Sequence, residues 1–212
     1  HYSWQGITLV LLTVTLFAIQ IYYYAIAYNR IISFRLMRER EKRRENPAIS
    51  IIVPMRGESE RFLVDELPAL LCQEYAHYEI VVVYIGSDND YYDELQRIRD
   101  NHSYMRLTRM GGSNERFYIS TKQALNVGIK SAQYDALLFT TTGTMPSSAQ
   151  WLDFMAKGFE YGDVVVGSAV GNYEGATLAN YLKRMVDMHA LRNAMAKAVG
   201  GEFYYAPRCN YG

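Results

Sequence analysis

From Gly6 to Tyr28 the chain reads GITLVLLTVTLFAIQIYYYAIAY without one charged side chain. As a helix that run is long enough to cross a hydrocarbon core of about 30 Å, and it predicts a transmembrane helix within residues 1–29. A cleaved signal peptide fits less well, because no basic region precedes the apolar run and no small-residue cleavage site follows it. Tyr22, Tyr23, Tyr24 and Tyr28 crowd one end, where amphipathic rings favour the membrane interface, and Arg30, Arg35, Arg38, Arg40, Lys42, Arg43 and Arg44 come next. The positive-inside rule then places the remainder of the chain in the cytosol.

Residues 30–47 form a basic juxtamembrane segment. Two readings stand side by side: a helix lying on the membrane surface through Ile31, Ile32, Phe34, Leu36 and Met37, or a solvated connector held near anionic lipid by its charges. Asn46 and Pro47 end the element.

Beyond Ala48 the hydrophobic pattern alternates between two periods. Ile49 to Pro54 (ISIIVP), Glu79 to Ile85 (EIVVVYI), Met105 to Thr108, Ala136 to Thr140 and Val164 to Gly167 are short apolar runs that predict buried strands, with Glu202 to Ala206 as a further candidate. Between them, Glu60–Gln73, Tyr91–Asn101, Ser120–Ser131, Ala149–Tyr161 and Thr177–Val199 carry apolar residues at helical spacing. Pro68 should kink or restart the first of these, and Ser147 or Ser148 should cap the fourth. The last, with Leu178, Leu182, Met185, Met188, Leu191 and Met195 on one side, reads as a core or interface face. Such alternation predicts an α/β fold, a mostly parallel sheet with helices on both faces. Its organising stretch is ALLFTTTGTMP, Ala136 to Pro146, because ligands of open α/β sheets bind just beyond the carboxyl ends of buried strands.

Charge adds an exclusion. Lys plus Arg and Asp plus Glu both number 22, so a nucleic-acid partner has no global electrostatic support. Cys72 and Cys209 read as reduced thiols rather than a disulfide framework. His77, His102 and His189 lack metal-ligand spacing, and Gly111-Gly112 lacks the strand and helix context of a dinucleotide loop. Asn101-His102-Ser103 matches a glycosylation acceptor that a cytosolic domain would not use.

The ordered blocks ISIIVPMRGESE, LPALLCQEYAHYEIVVVYIGSDND and TKQALNVGIKSAQYDALLFTTTGTMPSSAQWL resemble membrane-associated bacterial family-2 glycosyltransferases of the GT-A fold over about Ile49 to Tyr211. The resemblance implies a GT-A-like domain over residues 48–212, incomplete at its C-terminus, on the inner (cytoplasmic) membrane. It implies a nucleotide-sugar pocket, for which the matching candidates are Pro54, Arg56, Glu58, Tyr84, Ser87, Lys122, Thr141 and Gly143. Such proteins usually carry an acidic pair where Tyr84 and Ile85 stand. They also place Asp-x-Asp where Thr141, Thr142 and Gly143 stand, holding Mg²⁺ or Mn²⁺ against the diphosphate. That cation is expected from the family, yet its carboxylate ligands are missing, and threonine hydroxyls offer a hard divalent cation neither charge nor comparable affinity.

Two functions follow. The first is inverting sugar transfer from a nucleotide-sugar to a lipid-linked or polysaccharide acceptor. The second is a catalytically degenerate pseudo-glycosyltransferase that binds or scaffolds at a lipid membrane beside an active glycosyltransferase partner. No catalytic base can be named, since the family's base lies beyond the region matched by Arg208 to Tyr211. Glu58, Lys122 and Arg116 also fit the plainer role of solvated surface charges.

Overall fold

A computed structural model describes residues 4–33, 46–111, 119–171, 173, 175–202 and 210–212. The chain divides into two compact units, one of His1–Glu39 with Ser168–Ala206 and one of Arg40–Gly167 with Pro207–Gly212.

The second unit is built on four parallel strands. β1 (Ile49–Arg56) pairs with β2 (Tyr78–Ile85) and with β4 (Ala136–Phe139), and β3 (Met105–Met110) pairs with β2, so the order is β3-β2-β1-β4. Ile52 stands opposite both Val81 and Phe139, which aligns the three most apolar runs side by side as their composition predicts. Alternation along the strands then sorts the core into two layers. Ile51, Val53, Met55, Val82 and Tyr84 face Phe62, Leu67, Leu95, Leu152 and Phe159, while Ile52, Val81, Val83 and Ile85 face Ala124. The helices divide accordingly. α3 (Leu67–Leu71), α4 (Asn89–Asn101) and α6 (Trp151–Tyr161) cover the first face, and α5 (Thr121–Ser131) covers the second.

Local chemistry explains most element ends. Pro68 restarts its helix: lacking an N–H, it cannot continue the α ladder, and the chain ahead of it closes a π turn over Phe62–Glu66, with Leu67 N–H donating to Phe62 O. Asp88 caps α4 by accepting Tyr91 N–H at 2.6 Å, and Ser120 with Gln123 forms a reciprocal capping box on α5. The expected cap of α6 by Ser147 or Ser148 does not form. Instead Gln73, far away in sequence, accepts Leu152 N–H at 3.0 Å and donates to Ser148 O at 3.2 Å. A nonlocal amide has taken the role that the local hydroxyls suggest.

Val164 to Gly167, expected as a buried strand, forms no strand of the parallel sheet, and Val164 is 73% exposed. Val165 and Gly212 exchange backbone hydrogen bonds of 2.8 and 2.7 Å, Gly167 N–H donates to Asn210 O at 2.9 Å, and Phe139 N–H donates to Tyr211 O at 2.7 Å. Residues 210–212 thus lie antiparallel between the end of β4 and this segment, with Tyr211 stacked on Phe139 at 4.9 Å. The candidate strand Glu202 to Ala206 falls almost entirely outside the described residues, as do residues 34–45 of the juxtamembrane segment.

The first unit contains α1 (Trp4–Tyr22), a π turn (Tyr23–Ala27), α2 (Asn29–Ser33) and α7 (Leu178–Val199). Trp4–Ser33 is one helical run, long and apolar enough to cross a membrane; its most apolar 18-residue window has a mean hydropathy of 1.9 and no buried side chain. Thr177 caps α7 by accepting Asn180 N–H at 3.2 Å. The apolar positions of α7 are not core: Leu178, Leu182, Met185, Met188 and Met195 are all exposed. Leu191 is half-buried and the C-terminal half of α7 packs beside α2, so only that part of the face is covered within the chain.

Candidate functional site

The strand order contains one reversal. Successive crossovers carry the chain outward from β1 to β2 to β3, and the next returns it to the other side of β1 as β4, which makes the carboxyl ends of β1 and β4 the topological switch point of the sheet. Arg56, Gly57 and Glu58 leave β1 there, and Thr140 to Thr144 leave β4.

Pro54 is buried within β1, opposite Val83. Odd-numbered residues of this strand send their N–H toward β2, as Ile49 does to His77 O, and even-numbered ones face β4. Since β4 ends opposite Ile52, position 54 forfeits no ladder bond by being proline. Gly57 takes φ +68°, a left-handed conformation that suits glycine, and its N–H donates to Ile85 O at 3.0 Å. This turn lays Glu58 beside the loop after β2. Glu58, Ser87, Asp88, Asn89 and Asp90 line one open polar depression, so the structure joins two of the candidates, Glu58 and Ser87. Arg109 fixes the loop from β3, donating to Gly86 O at 3.2 Å and Asn89 Oδ1 at 2.9 Å.

Tyr84 lies beneath that depression rather than in it. Its side chain is fully buried, 5.6 Å from the Tyr91 ring and stacked at 6.0 Å on Tyr92, with Arg109 over Tyr92 at 4.9 Å. Burial raises the phenol above its usual range; the negative charges of Asp88 and Glu58 add to the effect, and Arg109 opposes it. A neutral phenol is therefore what this position offers at physiological pH. The Tyr84 hydroxyl presses so closely on Gly86 that a Cβ there would sit 2.4 Å from it, which explains the glycine. Ile85 turns to the opposite core layer.

The other candidates divide between two further places. The Arg56 guanidinium donates to Ile119 O, tying the end of β1 to the start of α5, where Lys122 stands exposed in the first turn. Thr141 and Gly143 form a separate turn, with Thr141 and Thr144 hydroxyls 3.5 Å apart and Gly143 at φ +85°. Neither Lys122 nor this turn lines the polar depression.

The turn is held by a residue the sequence reading missed. Glu66 is 1% exposed, and its Oε2 accepts Gly143 N–H at 2.9 Å, while Oε1 lies 3.7 Å from Arg61 Nε. The signal was the spacing Phe62, Glu66, Leu70, which puts a carboxylate on the face of the helix that carries its buried residues.

The donor set at this turn does not fit a divalent cation of the Mg²⁺ or Mn²⁺ kind. Thr141 and Thr144 supply neutral hydroxyls, Gly143 supplies none, and the nearby Glu66 is a single carboxylate with one oxygen on Gly143 N–H and the other 3.7 Å from Arg61 Nε, short of the several anionic oxygens such a cation takes. Among the described residues, no three or more His, Cys, Asp and Glu side chains gather as a metal site.

A parallel sheet covered on both faces, with polar loops at its carboxyl edge, is the doubly wound α/β architecture that includes the GT-A fold. The mannosyltransferase PcManGT from Pyrobaculum calidifontis, solved with GDP-Man and Mn²⁺, shares this fold at 22% identity and TM-score 0.54, over 77% of this chain and 46% of its own. TarS residues 1–349 from S. aureus match at 20% identity and TM-score 0.49, over 61% of this chain and 38% of that one. The chain thus spans less than half the length of either. The model of glycosyl transferase family 21 matches residues 10–203, and the chain belongs to that family. No curated protein matches it. The glycosyltransferase resemblance and the GT-A fold are borne out.

Proposed function

We propose that this is a membrane-anchored glycosyltransferase-like protein of the family-2 type that binds a nucleotide-sugar at the carboxyl edge of β1, β2 and β4. In this reading residues 1–29 cross the inner (cytoplasmic) membrane, 30–47 form a basic segment on its cytosolic side, and 48–212 carry the cytosolic donor-binding domain. The activity proper to the class is sugar transfer to a lipid-linked or polysaccharide acceptor. The observation that carries the reading is the switch point between β1 and β4 in a family 21 chain, with Glu58 and Ser87 meeting in a polar depression at the same edge.

A second reading has its own support. Tyr84 is packed into the core where the resemblance implies an acid, and Thr141 to Gly143 replace the carboxylates that would hold the diphosphate's cation. Those features favour a degenerate domain that binds or scaffolds beside an active glycosyltransferase.

Calorimetry of the full chain in detergent separates the two. GDP-Man is the first probe, because the Pyrobaculum enzyme of the same fold was solved with it; UDP-GlcNAc is the second. The degenerate reading expects weak binding that Mn²⁺ changes little, with a cation dependence introduced by Thr141→Asp together with Gly143→Asp. Affinity strengthened tenfold or more by Mn²⁺ in the unmodified chain, about 1.4 kcal/mol, would favour the enzyme and overturn the second reading. No binding of either donor, with or without the metal, would overturn the donor-binding reading itself.

A further inference from the structure

The first unit holds a groove that donor chemistry does not explain. It encloses about 420 Å³ where the helical run of α1 and α2 ends beside α7, a volume ordinary for a small-molecule site. Tyr24, Ile31, Ile32, Met188, Leu191 and Met195 form its apolar walls. Its polar element is Arg192, whose guanidinium lies 5.2 Å over the ring of Tyr28. Tyr28 is itself 6% exposed and edge-on to His189 at 6.1 Å, which holds α2 against α7.

Three features select the occupant. The groove opens at the basic end of a run apolar enough to span a bilayer, the level at which aromatic rings and cationic side chains meet lipid headgroups. The charge of α7 has one dominant sign: Lys183, Arg184, Arg192 and Lys197 against Asp187, which accepts from Gly171 N–H and the Tyr173 hydroxyl. Arg30 adds to this sign, its guanidinium lying so near the C-terminus of α7 that a Cβ on Gly200 would be 3.2 Å from it. Finally, the apolar walls continue along α7 as an exposed stripe of Met185, Leu182 and Leu178. Exposed apolar side chains with Arg192 set among them suit the boundary between acyl chains and anionic headgroups.

We propose that the groove binds one anionic phospholipid of the bilayer, its acyl chain against Ile31, Ile32, Leu191 and Met195 and its phosphate at Arg192. The bound lipid seats α7 on the membrane surface. The inference rests on the reading that the apolar helix within residues 1–29 spans the membrane; it is separate from donor binding.

Native mass spectrometry of the full chain, extracted from nanodiscs containing equal phosphatidylglycerol and phosphatidylcholine, tests it. The chain should retain one phosphatidylglycerol in preference to phosphatidylcholine. Arg192→Gln should weaken that preference about fivefold, the factor one basic residue supplies near an anionic surface. Lys197→Gln, which removes the same charge from the same helix outside the groove, should leave it intact. Met188→Trp, filling the groove, should reduce retention of both lipids while the helical circular dichroism is unchanged, and an excess of inorganic phosphate should not displace the lipid. Equal retention of the two lipids, equal losses from Arg192→Gln and Lys197→Gln, or displacement by free phosphate would overturn the proposal. Vesicle flotation keeps the two readings apart: a chain that fails to float refutes the spanning helix, whereas a chain that floats without lipid preference refutes only the groove.

Discussion

The carboxylate of Glu66 accepts the backbone N–H of Gly143 at 2.9 Å, across 77 residues of sequence. One buried side chain on the helix after β1 thereby fixes the turn after β4. The two lips of the switch point are mechanically linked, and the shape of the candidate site depends on a residue that faces the core.

Removing that link should loosen the turn before it affects the sheet. A hydrogen bond to a charged group contributes about 1.5–3 kcal/mol, so Glu66→Ala should speed amide exchange over residues 140–145 by about tenfold or more. Glu66→Gln keeps an acceptor oxygen and should recover most of the protection. Unchanged exchange in Glu66→Ala would show that the turn is held by other contacts.

The close approach of α5 to the sheet makes a second point of sensitivity. A Cβ on Gly128 would meet Ile52 Cγ2 at 2.5 Å and Val83 Cγ2 at 3.3 Å, and both partners are fully buried. Overpacking a rigid core costs about 1–3 kcal/mol, which the better helix propensity of alanine offsets by up to about 1 kcal/mol. Gly128→Ala should therefore be near neutral to mildly destabilising, and Gly128→Val should lower the denaturation midpoint clearly. A valine variant as stable as the parent chain would mean that α5 is not seated against Ile52.

Two tyrosines should make the fold sensitive to alkali. Burial pushes the phenols of Tyr75 and Tyr91 up to about 12, Asp153 and Glu160 adding to the effect at Tyr75. Each folded-state value lies above the ordinary value of 10.0, so the proton is held more tightly in the folded chain than in the unfolded one. The stability they contribute is fully present below pH 10 and falls as the pH rises toward about 12. Denaturation midpoints measured across that window should decline, and Tyr75→Phe with Tyr91→Phe should flatten the decline. An identical slope in the double variant would assign the alkaline loss to other groups.

Topology can be tested independently of the site. Alkaline phosphatase fused after Ala48 in a bacterial host should be inactive, because moving the basic cluster Arg30 to Arg44 across the membrane is disfavoured. Strong phosphatase activity from that fusion would reverse the orientation.

Sequence alone determined the parts of this protein that depend on neighbours in the chain. The runs ISIIVP, EIVVVYI and ALLF are too apolar and too short to be anything but buried strands between amphipathic helices, and they form one parallel sheet. The absence of any carboxylate from the turn Thr140 to Thr144 was equally legible, because it is a matter of residue identity. Tertiary structure decided whatever joins distant segments. Gln73 rather than Ser147 or Ser148 satisfies the start of α6, residues 210–212 rather than a fifth parallel strand pair with Val165 and Gly167, and Tyr84 turns into the core instead of lining the depression above it. Hydrophobic period fixes which face of an element is buried, but a polar partner is chosen by which donor and acceptor the packed elements bring within about 3 Å. That choice is made only once the sheet order exists.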